Sequence, residues 1–434
     1  MTTYWCERAW VDGAVLDGVR IETDQDVLAS VASAPRERDD VVLRGLVLPG
    51  FANAHSHAFH RALRGRTHAE GGTFWTWRQA MYDVAERLDP DLLQQLATAA
   101  FAEMALAGYT VVGEFHYLHH GAGGRPYDDP NAMGAALVQA AADAGVRLTL
   151  LDACYLQGGL DGRPLEPTQQ RFADADVPAW EDRIAGLTEG PLVRHGVAAH
   201  SVRAVPRAAL PVIARHPLRH VHLSEQPAEN ADCQAAYGCT PTQLLADAGF
   251  LGSGACAVHA THLTAADLGL LAGTSVCFCP TTERDLADGI GPARALAAAS
   301  PLCLGSDQHA VVDPFEEARA LEMHERLASL ERGRFTPVEL LTAGTEAGYR
   351  ALGWAGGALR AGAVADLVAV RLDSPRTAGS APDQVLLAAS AADVTEVVVG
   401  GRPIVRDGVH TLGDVGSLLR EAMSSLFATR HDSR

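Results

Sequence analysis

The stretch LVLPGFANAHSH (residues 46–57) runs from an apolar β-like segment through Pro49 and Gly50 into His55-Ser56-His57. Seven later segments are also apolar, most with polar ends: TVVGEFHY (110–117), RLTLLDACYL (147–156), VRHGVAAHSV (193–202), RHVHLSEQ (219–226), ACAVHATH (255–262), SVCFCPTT (275–282) and PLCLGSDQH (301–309). Helix-like stretches separate most of them, such as PDLLQQLATAAFAEMALAG (90–108) and NAMGAALVQAAADAG (131–145). Strands alternating with amphipathic helices imply a parallel sheet, and eight of them predict closure into a (β/α)8 TIM-like barrel. Catalytic groups of such a barrel belong at the C-terminal ends of the strands, where these His, Glu and Asp residues fall.

The flanks read differently. Residues 1–48 alternate short β-like pieces (WCERAWV, VRIETD, VVLRGLVL) with turns at Asp12-Gly13 and Asp17-Gly18. Residues 358–411 have the same style, with DLVAVRL and then EVVVGGRPIVRDG (396–408). Together they predict a small β-sandwich domain assembled from both termini around a barrel at 49–357. GDVGSLLREAMSSLFATR (413–430) has helical periodicity after a Gly-Asp start, so 412–434 is expected to hold a terminal helix and tail. No repeat of 20–50 residues is present.

Composition narrows the function. A formal charge of -18 argues against nucleic acid or an anionic membrane as the main partner, without forbidding an anionic small molecule in a local pocket. No apolar run approaches the roughly 20 residues that span a bilayer, and MTTYWCERAW lacks the pattern of a signal peptide, so a cytoplasmic location is expected. The eight cysteines form no C-x-x-C pair and read as reduced thiols, with Cys277 and Cys279 on one face of a buried strand. The chain contains no lysine; its 35 basic residues are all arginine. That excludes a lysine Schiff base, a lysine-bearing P-loop and a carbamylated lysine bridging two metals.

The chemistry-bearing residues sit at strand ends. In His55-Ser56-His57 the i, i+2 spacing turns two imidazoles to one face, so both can reach one ion. His222 ends the fifth segment with Glu225 three residues on, His259 lies in the sixth, and Asp307 closes the eighth. Any one of them alone is as well read as a surface acid or a hydrogen-bonded core histidine; four strand ends supplying metal-type ligands point to a site. Three histidines (His55, His57, His222) and Asp307 with an open position suit one Zn²⁺ per chain, with Fe²⁺ or Mn²⁺ as alternatives. Such an ion lowers the pKa of bound water to about 7 and polarises an electrophilic carbon. Glu225 is placed to move the water's proton to a leaving nitrogen, Asp307 to ligate the ion or hydrogen-bond the nucleophile, and His259 to steady the tetrahedral centre or act as a second acid–base.

This order of H-x-H, H-x-x-E, His and Asp on strands one, five, six and eight resembles the amidohydrolase superfamily over essentially the whole chain. The missing lysine points to its mononuclear, deaminase-like branch. PGFANAHSHAFHRALRG, FWTWR (74–78), GEFHYLHH (113–120), HSVRAV (200–205) and HLSEQ (222–226) are similar to the N-formimino-L-glutamate iminohydrolases. The resemblance implies hydrolytic deimination of N-formimino-L-glutamate to N-formyl-L-glutamate and ammonia in histidine breakdown. It also implies a homodimer, and a substrate glutamate portion held by Arg78, Tyr117, His200 and Arg203. Guanidinium forks match carboxylates, in keeping with a dianionic substrate. Two positions depart from the family pattern near the expected pocket: His60 stands where glutamine is expected, and Gln308 where serine follows the metal aspartate.

Two other readings stay open on the residues. A deaminase of nucleobases or nucleosides would need stacking surface and few arginines, whereas Arg61, Arg64, Arg66 and Arg78 follow strand one closely. A non-catalytic barrel would show eroded ligands, and none is eroded here.

Overall fold

The structure is a computed structural model that describes residues 2–68 and 72–428; the last part of the expected C-terminal tail, 429–434, lies outside the described residues. Each of the eight segments forms a strand, and the eight pair in chain order in one parallel sheet: Phe51–Ser56, Tyr109–His116, Arg147–Cys154, Val193–Ser201, Arg219–Leu223, Ala255–His259, Ser275–Phe278 and Leu302–Leu304, here strands one to eight. Six are buried at every position, which is why they read as continuous apolar runs rather than as alternating ones.

Closure depends on the last strand meeting the first. Ser56 and Asp307 form a parallel bridge, with His57 N donating to Asp307 O (3.1 Å) and Asp307 N to His55 O (3.0 Å). Gly305 allows this approach, since a Cβ there would stand 2.8 Å from the Cβ of His55. Barrel closure and site assembly therefore share the same residues.

Helices wrap the barrel. Pro90–Ala107 shows how locally they are specified: Asp89 caps it by accepting from Leu92 N, Pro90 occupies the first turn, and Gly108 ends it in the left-handed region. The terminal helix forms as Val415–Phe427, capped by Asp414, and packs on Pro90–Ala107.

The stretch 46–57 is divided rather than continuous. Residues 46–49 complete a strand of the terminal domain, Val41–Pro49, and the barrel strand begins at Phe51. Pro49 cannot donate to a ladder, and Gly50 hands the chain from one sheet to the other. In the terminal domain Thr2–Val11, Ala14–Asp24, Val27–Ser33 and Val41–Pro49 join Leu367–Val370, Val394–Val399, Arg402–Arg406 and Val409–His410. All eight strands belong to a single mixed sheet, joined where Val41–Pro49 pairs antiparallel with Leu367–Val370. The sheet curls over its own core of Tyr4, Cys6, Val19, Ile21, Leu43 and Val47, and Leu28 N reaches Ala363 O (2.8 Å).

A buried ion pair clasps the two parts. Arg147, at the start of strand three, meets Asp366 through Nε (2.9 Å) and Nη2 (3.1 Å). All eight cysteines are free, and Cys277 and Cys279 are buried in the barrel interior. Among the described residues no helix is long and apolar enough to cross a membrane.

Candidate active site

His55, at the end of strand one, and His57, just beyond it, present rings whose centroids are 4.7 Å apart. His57 Nδ1 donates to the Phe115 carbonyl and His222 Nδ1 to the His200 carbonyl, both at 2.8 Å. Burial pushes the pKa of His57 down to about 3 and those of His55 and His222 well below the ordinary value, so the rings are neutral. A carbonyl can only accept; the proton of His57 and of His222 therefore sits on Nδ1, and each Nε2 offers a lone pair.

Those lone pairs converge. His222 Nε2 lies 3.2 Å from His55 Nε2 and 3.4 Å from His57 Nε2. Asp307 Oδ1 lies 3.4 Å from His55 Nε2 and 3.5 Å from His57 Nε2. Electron pairs of two neutral imidazoles and a carboxylate pointing into one space repel unless a cation stands between them. The donor set and its tautomers thus fit a divalent ion, with backbone carbonyls orienting two of the histidines from behind.

His259 stands beside this cluster at the end of strand six, its backbone in the left-handed region (φ 69°). Its Nε2 lies 3.8 Å from both Glu225 Oε1 and Asp307 Oδ2, and its Nδ1 3.3 Å from Glu283 Oε1. Burial would lower its pKa, but Glu225, Glu283 and Asp307 outweigh it and raise it to about 10. Ser224 (φ 48°) and Asp307 (φ 45°) also hold left-handed backbone, so the barrel mouth stores strain where its polar groups gather. Glu225 is buried and reaches Arg203 Nη2 at 3.5 Å.

Above the cluster opens a cavity of about 160 Å³. His60, Arg78, Tyr117, His200 and Arg203 all line it. Tyr117 Oη and His60 Nε2 are 2.8 Å apart, and His60 is buried. Arg78 pairs with Glu166 at 3.3 Å over the ring of Tyr82. Gln308 and the arginines after strand one are separated by their partners. Gln308 does not line the cavity; its side-chain amide donates to Asp285 (2.8 Å). Of the four arginines after strand one, only Arg78 lines it. Arg61 and Arg64 both bind Glu103, at 2.6 and 2.5 Å, and Arg66 lies 4.5 Å over the ring of Phe427 on the terminal helix.

Several participants escaped the sequence reading. Glu229 takes Arg203 Nε at 3.1 Å and the Ser224 amide at 3.0 Å. Glu283 holds His259 from behind, and Glu114 accepts from Ser56 Oγ (2.6 Å) and Ala58 N (2.7 Å) beneath the H-x-H turn. Glu229 carried one usable signal, four residues after Glu225 at the start of a helix, and Glu114 another, inside the GEFHYLHH stretch; Glu283 carried none, since it acts across strands. Tyr82, Tyr155 and Phe172 add aromatic walls to the cavity.

Comparison with known proteins finds relatives over nearly the whole chain. Residues 46–404 match the model of the amidohydrolase family. A formimidoylglutamate deiminase of Pseudomonas aeruginosa is 36% identical, covering 94% of this chain and 96% of that protein. An 8-oxoguanine deaminase of the same organism is 32% identical, covering 89% and 88%. Among solved structures, an amidohydrolase from Brucella melitensis superposes with a TM-score of 0.90 at 29% identity, covering 99% of this chain and 100% of that one.

Proposed function

The chain belongs to the amidohydrolase family and is a metal-dependent hydrolase of carbon–nitrogen bonds, and from that premise we propose that it deiminates N-formimino-L-glutamate to N-formyl-L-glutamate and ammonia. The observation that carries the substrate is the cavity itself: Arg78 and Arg203 line it together with His57, His222 and Asp307. A dicarboxylate carrying an electrophilic amidine carbon needs cationic clamps set apart from the reacting atom. The 36% identity to the formimidoylglutamate deiminase supports the same reading.

In this proposal His55, His57, His222 and Asp307 hold one divalent ion, zinc by ligand type. When bound, it supplies Lewis-acid polarisation and a water acidified to a pKa of about 7. Glu225 takes a proton from the attacking water and returns it to the terminal nitrogen. The new C–O bond forms as the C=N bond opens to a single bond, and that C–N bond then breaks as the carbonyl forms; Glu225 passes the two water hydrogens in turn to the terminal nitrogen, which leaves as ammonia, and the oxygen remains as the formyl group. His259, whose Nε2 lies 3.8 Å from both Glu225 and Asp307, is placed to donate a hydrogen bond to the oxygen as negative charge grows on it. Arg203, beside Glu225, orients the substrate's nearer carboxylate.

A second reading has an observation of its own. Trp77, Tyr82, Tyr117, Tyr155 and Phe172 line the cavity, and aromatic walls suit a flat base such as that processed by the 8-oxoguanine deaminase relative. Ammonia release from N-formimino-L-glutamate, 8-oxoguanine, cytosine and adenosine, with mass spectrometry of the products, separates the two. The proposal expects N-formyl-L-glutamate. Glutamate with formamide would overturn the chemistry, and turnover of a base alone would establish the second reading.

A further inference from the structure

Among the described residues three guanidinium groups line the cavity, and their surroundings differ. Arg203 faces two carboxylates, Glu229 at 3.1 Å and Glu225 at 3.5 Å. Arg78 faces Glu166. The third, Arg163, sits in the loop after strand three, three residues before Glu166.

That loop is already folded for presentation. Gly158 N donates to Arg163 O (3.0 Å) and Gly162 N to Gly159 O (2.9 Å), which makes a tight hairpin. Asp161 Oδ1 accepts from both Arg163 N (3.2 Å) and Arg163 Nε (3.0 Å). The guanidinium lies against Gly159, where a Cβ would stand 2.5 Å from Nε and 2.9 Å from Nη2. Among the described residues its side-chain hydrogen bonding is confined to Nε, so both terminal nitrogens remain for a ligand. Two such nitrogens form the fork that takes a carboxylate side-on.

We infer that Arg163 is a further specificity-determining residue, which with Arg78 forms a subsite for the substrate carboxylate remote from the reacting carbon. The assignment rests on the dicarboxylate reading above. Arg203 contacts Glu225, the group nearest the chemistry, and so takes the near carboxylate. Arg78 and Arg163 are linked through one short loop, because Glu166, the partner of Arg78, follows Arg163 by three positions. The Arg163 side chain is 55% exposed, so its contribution lies between that of a surface ion pair and that of a buried charged hydrogen bond.

The test is calorimetric binding of glutarate, an unreactive dicarboxylate, and of butyrate, its monocarboxylate analogue, to the metal-loaded enzyme. Arg163→Gln should weaken glutarate about five- to tenfold and leave butyrate unchanged. Gly159→Ala, which displaces the guanidinium while keeping its charge, should weaken glutarate in the same direction. With N-formimino-L-glutamate, Arg163→Gln should raise KM by the same factor and hold kcat within about twofold. Equal glutarate binding by wild type and variant, an equal loss for butyrate, or no glutarate binding by wild type would each overturn the subsite. If glutarate binding depends on Arg163 while wild type leaves N-formimino-L-glutamate intact, the subsite stands and the substrate reading falls.

Discussion

Removing one charge from the clasp between barrel and terminal sheet should destabilise the whole chain. Asp366 accepts from Arg147 Nε (2.9 Å), Arg147 Nη2 (3.1 Å), Tyr349 Oη (2.6 Å) and Gly400 N (2.8 Å), and the side chains of both Arg147 and Asp366 are fully buried. Asp366→Asn preserves the shape, replaces an accepting oxygen by an amino group, and leaves a buried guanidinium without its main counter-charge. The remaining carboxylate, Asp26, is half-exposed and 3.7 Å away. Breaking a buried pair from one side costs about 3–5 kcal/mol. An unfolding entropy of about 2.1 cal/mol/K per residue gives about 0.9 kcal/mol/K for 434 residues, so Tm should fall by about 3–6 °C. Differential scanning calorimetry measures this directly. Adding Arg147→Met to Asp366→Asn removes the unpaired cation while the amide oxygen still accepts from Tyr349 Oη or Gly400 N, and should recover about half of the loss. Arg147 begins its strand at the end of the barrel opposite the site, so metal content and kcat of the folded variant should not change. A single variant melting within about 1 °C of wild type, or a double variant less stable than the single, would refute the reasoning.

Three further outcomes test the site. Elemental analysis of active enzyme should find one tightly bound divalent ion per chain, chelation should abolish turnover and zinc should restore it, and His222→Ala should lower metal content; two catalytic ions per chain would contradict the mononuclear reading. Glu225→Gln should retain the metal and lose about 10²–10⁴-fold in kcat, and a variant with normal metal and near-normal rate would remove Glu225 from proton transfer. Arg78→Ala and Arg203→Ala should each lower kcat/KM by an amount corresponding to about 1.5–3 kcal/mol with metal content intact, and unaltered kinetics in either would exclude that arginine from substrate binding.

Much of the architecture was legible because it rests on short-range periodicity. Eight apolar runs separated by helical stretches marked all eight barrel strands, since a strand buried on both faces must be apolar along its length. The i, i+2 spacing of His55 and His57 and the strand-end positions of His222, His259 and Asp307 were local as well, and the resemblance added Arg78, Tyr117, His200, Arg203 and His60 around the cavity. What the residues alone left open was pairing across long separations. Arg61, Arg64 and Arg78 look equivalent in sequence, yet Glu103 on a packed helix claims the first two and leaves the third at the cavity. Gln308 adjoins Asp307 but turns to Asp285. Glu283 and Glu229 bear on the site because parallel pairing of neighbouring strands carries them behind His259 and Arg203. Ligand-type residues can be read from local pattern, but which charge meets which depends on distances set by closure, and only the folded barrel decides them.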